Sequence, residues 1–216
     1  MKKLIQVFGI CCSYIYSLNL SYVFSDISKH LYTGLKKRFF REWGENSVLQ
    51  FRSQQLIGLE YIKVGKDCTF GKNMKLTAWS SLNGQKFSPS ITIGDGCVIG
   101  SNAHITAINS IIIGNKVLTG NNILITDNSH GSGTNKEMNQ IPMNRPLISK
   151  GAVVIEDNVW LGDNVCILSG VTIGRGAIIG ANSVVTHSIP PYSIAAGTPA
   201  KIIKSLICET TSNKEV

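Results

Sequence analysis

The hydrophobic pattern of the C-terminal half of the chain repeats at every sixth residue. A second inward candidate lies four places after each repeated aliphatic residue, and shorter runs from Val64, Ile93 and Ile113 carry the same period upstream. An α-helix needs a period of about 3.6 and a strand a period of 2, so this period predicts short strands joined by tight turns. The aliphatic positions of the main run are Ile155, Leu161, Ile167, Ile173, Ile179 and Val185.

The pattern predicts an all-β solenoid, a parallel β-helix in which three hexads close one coil of about eighteen residues. Each inward aliphatic stacks on the next coil, and its burial is worth about 1.5–3 kcal/mol. The period does not determine the handedness of the coil. We predict a helical segment over residues 1–50, the β-helix over 51–204 with an excursion loop at 131–150, and a tail at 205–216. Segment 1–50 and a short C-terminal cap are expected to cover the open ends.

Composition narrows the possible partners. The net charge of +8 favours phosphate-bearing partners, but no DNA-reading or RNA-binding motif is present, so nucleic acid is not expected. The six cysteines form no CxxC pair, which favours reduced thiols in the cytoplasm. Four histidines without a close pair at the loop argue against a zinc site, so no metal is expected.

The N-terminal segment leaves two alternatives open. Residues 4–24 are largely apolar and follow Lys2 and Lys3, as in a signal peptide, but polar residues interrupt them and no clear cleavage site follows. Basic and aromatic residues then mix over 36–43. The segment 1–43 is therefore either a helix on an anionic membrane, at its inner face, or a helical cap on the prism.

The residue best suited to catalysis is His130, in the string ITDNSHG at the point where the repeat stops. Histidine suits a general base because its pKa lies near neutrality; the alternative is an ordinary surface histidine. Asp127 either orients that imidazole or caps a local turn. His104, in an earlier coil, is interpreted as structural or as lining a groove.

Residues 154–204, and above all the closing IPPYSIAAGTPAKII, resemble the hexapeptide-repeat acetyltransferases. The similarity is strongest to the branch of maltose, galactoside and surface-polysaccharide O-acetyltransferases. It covers residues 60–204 with a gap at 77–90, and residues 1–50 show no match. The resemblance implies a left-handed β-helix, a homotrimer, and active sites in the grooves between prisms. It also implies direct transfer from acetyl-CoA to an acceptor hydroxyl, with a histidine as base.

The resemblance assigns roles to further residues. Asn102 falls near a family asparagine that contacts the acceptor, and Trp160 matches a tryptophan that lines the acetyl and pantetheine channel. The alternative for Trp160 is packing against the loop, and for the lysines it is an ordinary solvated surface. Where some relatives carry lysine and arginine, this chain has His187 and Lys201, and a lysine offers phosphate a point charge without the bidentate geometry of arginine. The remaining cofactor-binding candidates are Gly162, Gly180, Ala181, Thr186, Lys201 and Lys204.

Together these features predict an acetyl-CoA-dependent O-acetyltransferase that acts on a sugar hydroxyl, with a sugar or glycan in surface polysaccharide synthesis as acceptor. Three alternatives stay open: an N-acetyltransferase on an amino sugar, an antibiotic acetyltransferase, and a non-catalytic repeat scaffold. A scaffold would be expected to show flat threonine ladders without the loop or Trp160. Protection by acetyl-CoA against thermal unfolding would separate an enzyme from a scaffold.

Overall fold

The computed structural model describes residues 2–13 and 18–205 and shows two N-terminal helices followed by a parallel β-helix. The helices are α1 (Lys2–Ser13), α2 (Leu18–Lys36) and, within a loop, α3 (Asn135–Met138); short 3-10 turns lie at Lys37–Phe39, Leu59–Tyr61 and Pro142–Asn144. The strands, in chain order, are β1 (Glu42–Trp43), β2 (Val48–Leu49), β3 (Gln55–Ile57), β4 (Ile62–Val64), β5 (Thr69–Phe70), β6 (Lys75–Ala78), β7 (Ser81–Leu82), β8 (Gln85–Lys86), β9 (Ser90–Ile93), β10 (Val98–Ile99), β11 (His104–Ala107), β12 (Ser110–Ile113), β13 (Leu118–Thr119), β14 (Leu124–Thr126), β15 (Ser129–His130), β16 (Leu147–Ile148), β17 (Val153–Ile155), β18 (Trp160–Leu161), β19 (Cys166–Ile167), β20 (Thr172–Ile173), β21 (Ile178–Ile179), β22 (Val184–Val185), β23 (Ser193–Gly197) and β24 (Ala200–Ser205).

Three parallel sheets form the sides of the prism, and successive strands visit them in turn. Sheet A has the order β1-β4-β9-β12-β17-β20, sheet B the order β2-β5-β10-β13-β18-β21-β23-β24, and sheet C the order β22-β19-β14-β11-β6-β3. Within these sheets, one pair, β23 with β24, is antiparallel. Each coil therefore satisfies the backbone groups of the next, which confirms the prediction of a parallel β-helix.

Inward side chains stack from coil to coil along each sheet. On sheet C, Leu76, Ile105, Ile125 and Ile167 stand in register on consecutive coils and are almost completely buried. Thr119 is a polar exception on sheet B. Its hydroxyl accepts a hydrogen bond from the Gly100 N–H at 2.9 Å and donates one to the Gly120 carbonyl at 3.0 Å, so its burial leaves no polar atom unpaired.

Asparagines occupy several corners because these corners require positive φ, which asparagine tolerates better than most residues. Asn73, Asn102 and Asn122 have φ between 57° and 59°. Their side-chain amides form a ladder, from Asn73 to Asn102 at 3.1 Å and from Asn102 to Asn122 at 2.8 Å. The ladder ties consecutive coils together along one edge of the prism.

The N-terminal end of the prism is closed by α2 and the residues that follow it. Phe40 stacks on Trp43 with a centroid distance of 4.6 Å, and Trp43 in turn contacts Phe70 of the core. The prediction of a helical segment up to residue 50 is wrong at its C-terminal end. Strands β1 and β2 already pair in parallel with β4 and β5, so the first coil begins at Glu42.

At the other end, β24 turns back along β23 and covers the last coil of sheet B. The predicted tail at 205–216 lies outside the described residues except for Ser205, and so do residues 14–17 of the apolar N-terminal run. Within the described residues, neither α1 nor α2 is both long enough and apolar enough to cross a bilayer.

Candidate active site

His130 lies where the chain leaves the prism after β14. It belongs to β15, which pairs antiparallel with β16 so that His130 stands opposite Leu147. Gly131 follows with a φ of +87°, which a glycine accepts without strain, and donates its N–H to the Pro146 carbonyl at 2.8 Å. The imidazole is exposed at the mouth of a loop whose two ends are held together.

The loop between β15 and β16 carries its own hydrogen-bonded structure. Thr134 and Glu137 form a capping box at the start of α3. One carboxylate oxygen of Glu137 also accepts the Ser132 N–H at 2.7 Å and the Ser132 hydroxyl at 2.8 Å. Hydrogen bonds from Ser132, followed by those from Thr134, hold the pKa of Glu137 below its usual range.

A second excursion braces the first. Strands β7 and β8 form a hairpin that leaves the prism between β6 and β9. The Gln85 side chain accepts the Leu147 N–H at 2.8 Å and donates to the Leu147 carbonyl at 3.3 Å, while Asn83 donates to the Met143 carbonyl at 2.8 Å. Gln85 thereby fixes the strand that pairs with His130. The gap at 77–90 in the family resemblance was the one sequence signal for this element.

Both excursions leave the prism at the corner between sheets C and A. Between them lies one such corner, from β11 to β12, that has no excursion. They enclose a cavity of about 400 Å³ on the outer face of sheet C. His130 and His104 both line it, so the groove-lining interpretation of His104 is the one that the structure supports. Other lining residues are Trp79, Leu82, Thr106, Leu124, Asn128 and Leu147.

His104 presents an imidazole of lowered pKa to this cavity. It lies on β11 and faces outward, half-buried. Its pKa is lowered, first because burial penalises the charged imidazolium and second because the Lys75 ammonium is nearby. The cavity thus offers two imidazole side chains and several hydroxyl and amide groups to a polar ligand.

Asp127 has a buried carboxylate whose oxygens are occupied by backbone groups of the preceding coil. One oxygen accepts the Ile108 N–H at 2.9 Å and the other the Asn109 N–H at 2.8 Å. The Asn128 side chain donates a third bond at 3.0 Å. No hydrogen bond joins Asp127 to His130 in the described part of the chain, so this geometry favours the capping role over orientation of the imidazole.

Asn102 is not among the residues that line this cavity. Both atoms of its side-chain amide are used in the corner ladder, one with Asn73 and one with Asn122. The side chains of the following strand β11 that line the cavity are His104 and Thr106.

Trp160 projects outward from β18 and is 51% exposed. It stands beside Leu118 and Ile178 on the outer face of sheet B. Together with Val98 these side chains form an apolar strip along that face, and Leu118 and Val98 are exposed like Trp160. The excursion loop, by contrast, leaves the prism between β14 of sheet C and β17 of sheet A.

The small residues among the cofactor-binding candidates have a structural role of their own. A Cβ at Gly162 would lie 2.6 Å from the Ala181 backbone nitrogen, and a Cβ at Gly180 would lie 2.9 Å from the Ala196 Cβ. The close approach of consecutive coils therefore requires glycine at both positions. Thr186, whose hydroxyl lies 2.8 Å from His187 Nδ1, is exposed near the last coil.

Lys201 and Lys204 are exposed on β24, opposite Ala196 and Ile194 of β23. Their ammonium groups therefore lie at the C-terminal end of sheet B, several coils from the His130 cavity. Among the described residues, no cluster of three or more His, Cys, Asp or Glu side chains is placed to bind a metal ion.

Comparisons with known proteins agree with this architecture. Residues 152–187 match the family of bacterial transferase hexapeptides (six repeats), and residues 90–127 match the hexapeptide repeat of succinyl-transferase. WbbJ of Escherichia coli (strain K12), provisionally named as a lipopolysaccharide biosynthesis O-acetyl transferase, is 38% identical over 69% of this chain and 74% of its own length. The galactoside O-acetyltransferase of Lactococcus lactis is 29% identical over 76% of this chain and 73% of its own length.

Solved structures show the same fold. The hexapeptide-repeat-containing acetyltransferase VCA0836 of Vibrio cholerae is 27% identical, with a TM-score of 0.50 over 82% of this chain and 81% of its own. The N-acyltransferase AntD of Bacillus cereus, in complex with dTDP-4-amino-4,6-dideoxyglucose and coenzyme A, is 18% identical with a TM-score of 0.66 over 82% of this chain and 90% of its own. The repeats, the fold and the identity to relatives over most of their length show that the chain belongs to the hexapeptide-repeat acetyltransferase family and is an acyltransferase.

Proposed function

We propose that the protein is an acetyl-CoA-dependent O-acetyltransferase that modifies a sugar hydroxyl during synthesis of a surface polysaccharide. The observation that carries this proposal is the exposed imidazole of His130 at the mouth of a cavity between two excursions from the prism, in which imidazole, hydroxyl and amide groups stand among apolar side chains. The names of WbbJ and of the galactoside O-acetyltransferases support a sugar hydroxyl as the acceptor group.

In the proposed reaction, an unprotonated ring nitrogen of His130 acts as the base and takes the proton of the acceptor hydroxyl. The oxygen then attacks the thioester carbonyl of acetyl-CoA, a C–O bond forms, and the C–S bond breaks. The imidazolium returns the proton to the departing thiolate, so the products are an acetyl ester and CoA. General base catalysis of this kind contributes about 10²–10⁴-fold to the rate. His104 and Asn128 supply polar groups that orient the sugar.

The residues proposed to bind acetyl-CoA lie on sheet B and at its C-terminal end. Trp160 offers an exposed aromatic surface to the acyl and pantetheine portion, and backbone groups near Gly162 and Ala181 are accessible beside it. Lys201 and Lys204 supply positive charge for phosphate groups at the end of the prism. Their distance from the His130 cavity is compatible with an extended ligand such as acetyl-CoA.

The proposal includes a left-handed coil and a homotrimer with the cavities at the seams between prisms. The exposed apolar strip of Val98, Leu118 and Trp160 on sheet B supports burial against another copy. Light scattering should give the mass of three chains, and a monomer would refute this part. The free thiols of Cys68, Cys97 and Cys166 support a cytoplasmic location.

The experiment is a thiol-release assay with acetyl-CoA against sugars, oligosaccharides and amino sugars. Turnover with hydroxyl acceptors supports the proposal, whereas turnover confined to amino sugars would indicate N-acetyl transfer. The variant His130→Ala should lower kcat by about 10²–10⁴-fold without a matching loss of acetyl-CoA binding. His30→Ala, which removes an exposed histidine on α2, serves as the control. Unchanged turnover of His130→Ala would remove His130 from the mechanism.

A further inference from the structure

Helix α2 has two unlike sides, and one of them is fixed to the prism. Thr33 is buried, and its hydroxyl accepts the Leu49 N–H of the first coil at 2.8 Å. The Tyr32 ring packs edge-on against Phe51 with a centroid distance of 5.6 Å. These contacts set which side of α2 faces away from the β-helix.

The opposite side of α2 is apolar and exposed. Five large hydrophobic side chains on this side are each 52–65% exposed. At about 100° per residue they fall within an arc of about 120°, on the other side of the helix from Thr33. A stripe of this kind normally packs against a core, so its exposure marks an interaction surface. The residues are Val23, Phe24, Ile27, Leu31 and Leu35.

Helix α1 and two aromatic residues carry further exposed apolar side chains. Leu4, Ile5, Val7 and Ile10 of α1 are 59–79% exposed. Phe39, directly after α2, and Phe51, beside it, are each 48% exposed. Phe24 and Phe51 line one open concavity together with the cations Arg52 and Lys72.

The charge around this surface is predominantly positive. Asp26 is the one acidic residue among residues 1–41, and it is paired with Lys29. Two guanidinium groups lie beside the exposed rings, Arg38 at 4.7 Å from the Phe39 centroid and Arg52 at 5.7 Å from the Phe51 centroid. The remaining basic residues of this region are Lys2, Lys3, Lys36, Lys37 and Arg41.

We propose that α1 and the outer side of α2 form a membrane-docking surface that binds an anionic bilayer, with both helices lying in the plane of the interface. Apolar side chains flanked by cations match the acyl chains and charged headgroups of such a bilayer. A second copy of the chain is a poor occupant, because two identical basic surfaces repel each other. Docking would hold the His130 cavity close to acceptors carried on lipids; this last consequence alone rests on the proposed function.

The test is flotation of the full chain with vesicles of phosphatidylcholine mixed with phosphatidylglycerol, and with vesicles of phosphatidylcholine alone. We expect binding to the anionic vesicles, weaker binding at high salt, and little binding to the neutral ones. The variant Lys37→Gln/Arg38→Gln should weaken binding by at least 10-fold, since each cation near an anionic surface contributes about fivefold.

The apolar contribution is tested with Ile27→Ser/Leu31→Ser, which should lose vesicle binding. The matched control Ile141→Ser/Met143→Ser removes equally exposed apolar side chains from the loop and should bind like the parent chain. Circular dichroism checks that both variants fold, since all four side chains are exposed. Binding that survives Ile27→Ser/Leu31→Ser would overturn the proposal, and so would a parent chain that ignores anionic vesicles.

Two further outcomes would also overturn it. A smaller mass of the Ile27→Ser/Leu31→Ser variant in light scattering would show that a second copy covers α2. Equal binding to neutral and anionic vesicles would exclude recognition of negative charge. Flotation does not depend on turnover, so its failure and the failure of the proposed acetyl transfer are distinguishable.

Discussion

The buried carboxylate of Asp127 provides a test that separates its two possible roles. It accepts hydrogen bonds from the N–H groups of Ile108 and Asn109, which lie at the corner between β11 and β12. The change to alanine removes both acceptors and leaves the two donors without a partner. The change to asparagine keeps one acceptor and turns the other oxygen into a donor that faces an N–H group.

The free energy of unfolding should fall markedly in both variants. A hydrogen bond to a charged group is worth about 1.5–3 kcal/mol, and an orphaned buried donor costs about 1–3 kcal/mol. Asp127 itself is fully buried, while Asn109 is exposed, so water compensates one of the donors in part. We expect a loss of about 3–5 kcal/mol for Asp127→Ala and about 2–4 kcal/mol for Asp127→Asn.

Urea denaturation followed by circular dichroism, at one fixed protein concentration, measures these losses. Asp163→Ala is the matched control, because Asp163 also accepts a backbone N–H of the preceding coil, from Asn121 at 2.6 Å, but is exposed. It should lose about 0.5–1.5 kcal/mol. The reasoning fails if Asp127→Asn is as stable as the control. A fully folded Asp127→Asn with kcat lowered by about 10⁴-fold would instead indicate that Asp127 orients the His130 imidazole.

Three further predictions concern the cavity and its supports. Gln85→Ala removes two bonds to the Leu147 backbone and should lower kcat more than stability, which assays paired with melting curves will check. His104 has a lowered folded pKa, so the unfolded chain binds more protons and stability should fall as pH drops below about 6.5; His104→Gln should flatten this part of the curve of Tm against pH. Gly162→Ala forces a Cβ onto the Ala181 backbone and should cost about 1–3 kcal/mol without any ligand present.

The repeat was readable in the sequence because each coil buries its own aliphatic residues at a fixed spacing. Ile155, Leu161 and Ile167 are all fully buried, as the period predicts. The boundary at residue 50 was not readable, because the first coil carries Trp43 opposite Val64 of the next coil, and Phe40 packs against that ring. Aromatic packing against a helix has no six-residue signature.

The site was readable only in part. His130 stood out because it ends a repeat run, whereas the contact between Gln85 and Leu147 joins residues 62 positions apart and leaves no local pattern. Asp127 was equally compatible with two roles, since only the structure shows that its partners are the N–H groups of Ile108 and Asn109. Long-range polar contacts depend on how coils stack and not on neighbouring residues.

The hydrogen bonds between the hairpin β7–β8 and the loop around His130 have a consequence for how such enzymes diverge. The two excursions come from non-adjacent coils, yet Gln85 and Asn83 bind the backbone of the loop at Leu147 and Met143. Transfer of a different acceptor specificity from a relative should therefore require that both insertions be exchanged together. Exchange of either insertion alone would leave the other without its hydrogen-bonding partners, while the β-helix beneath would keep its shape.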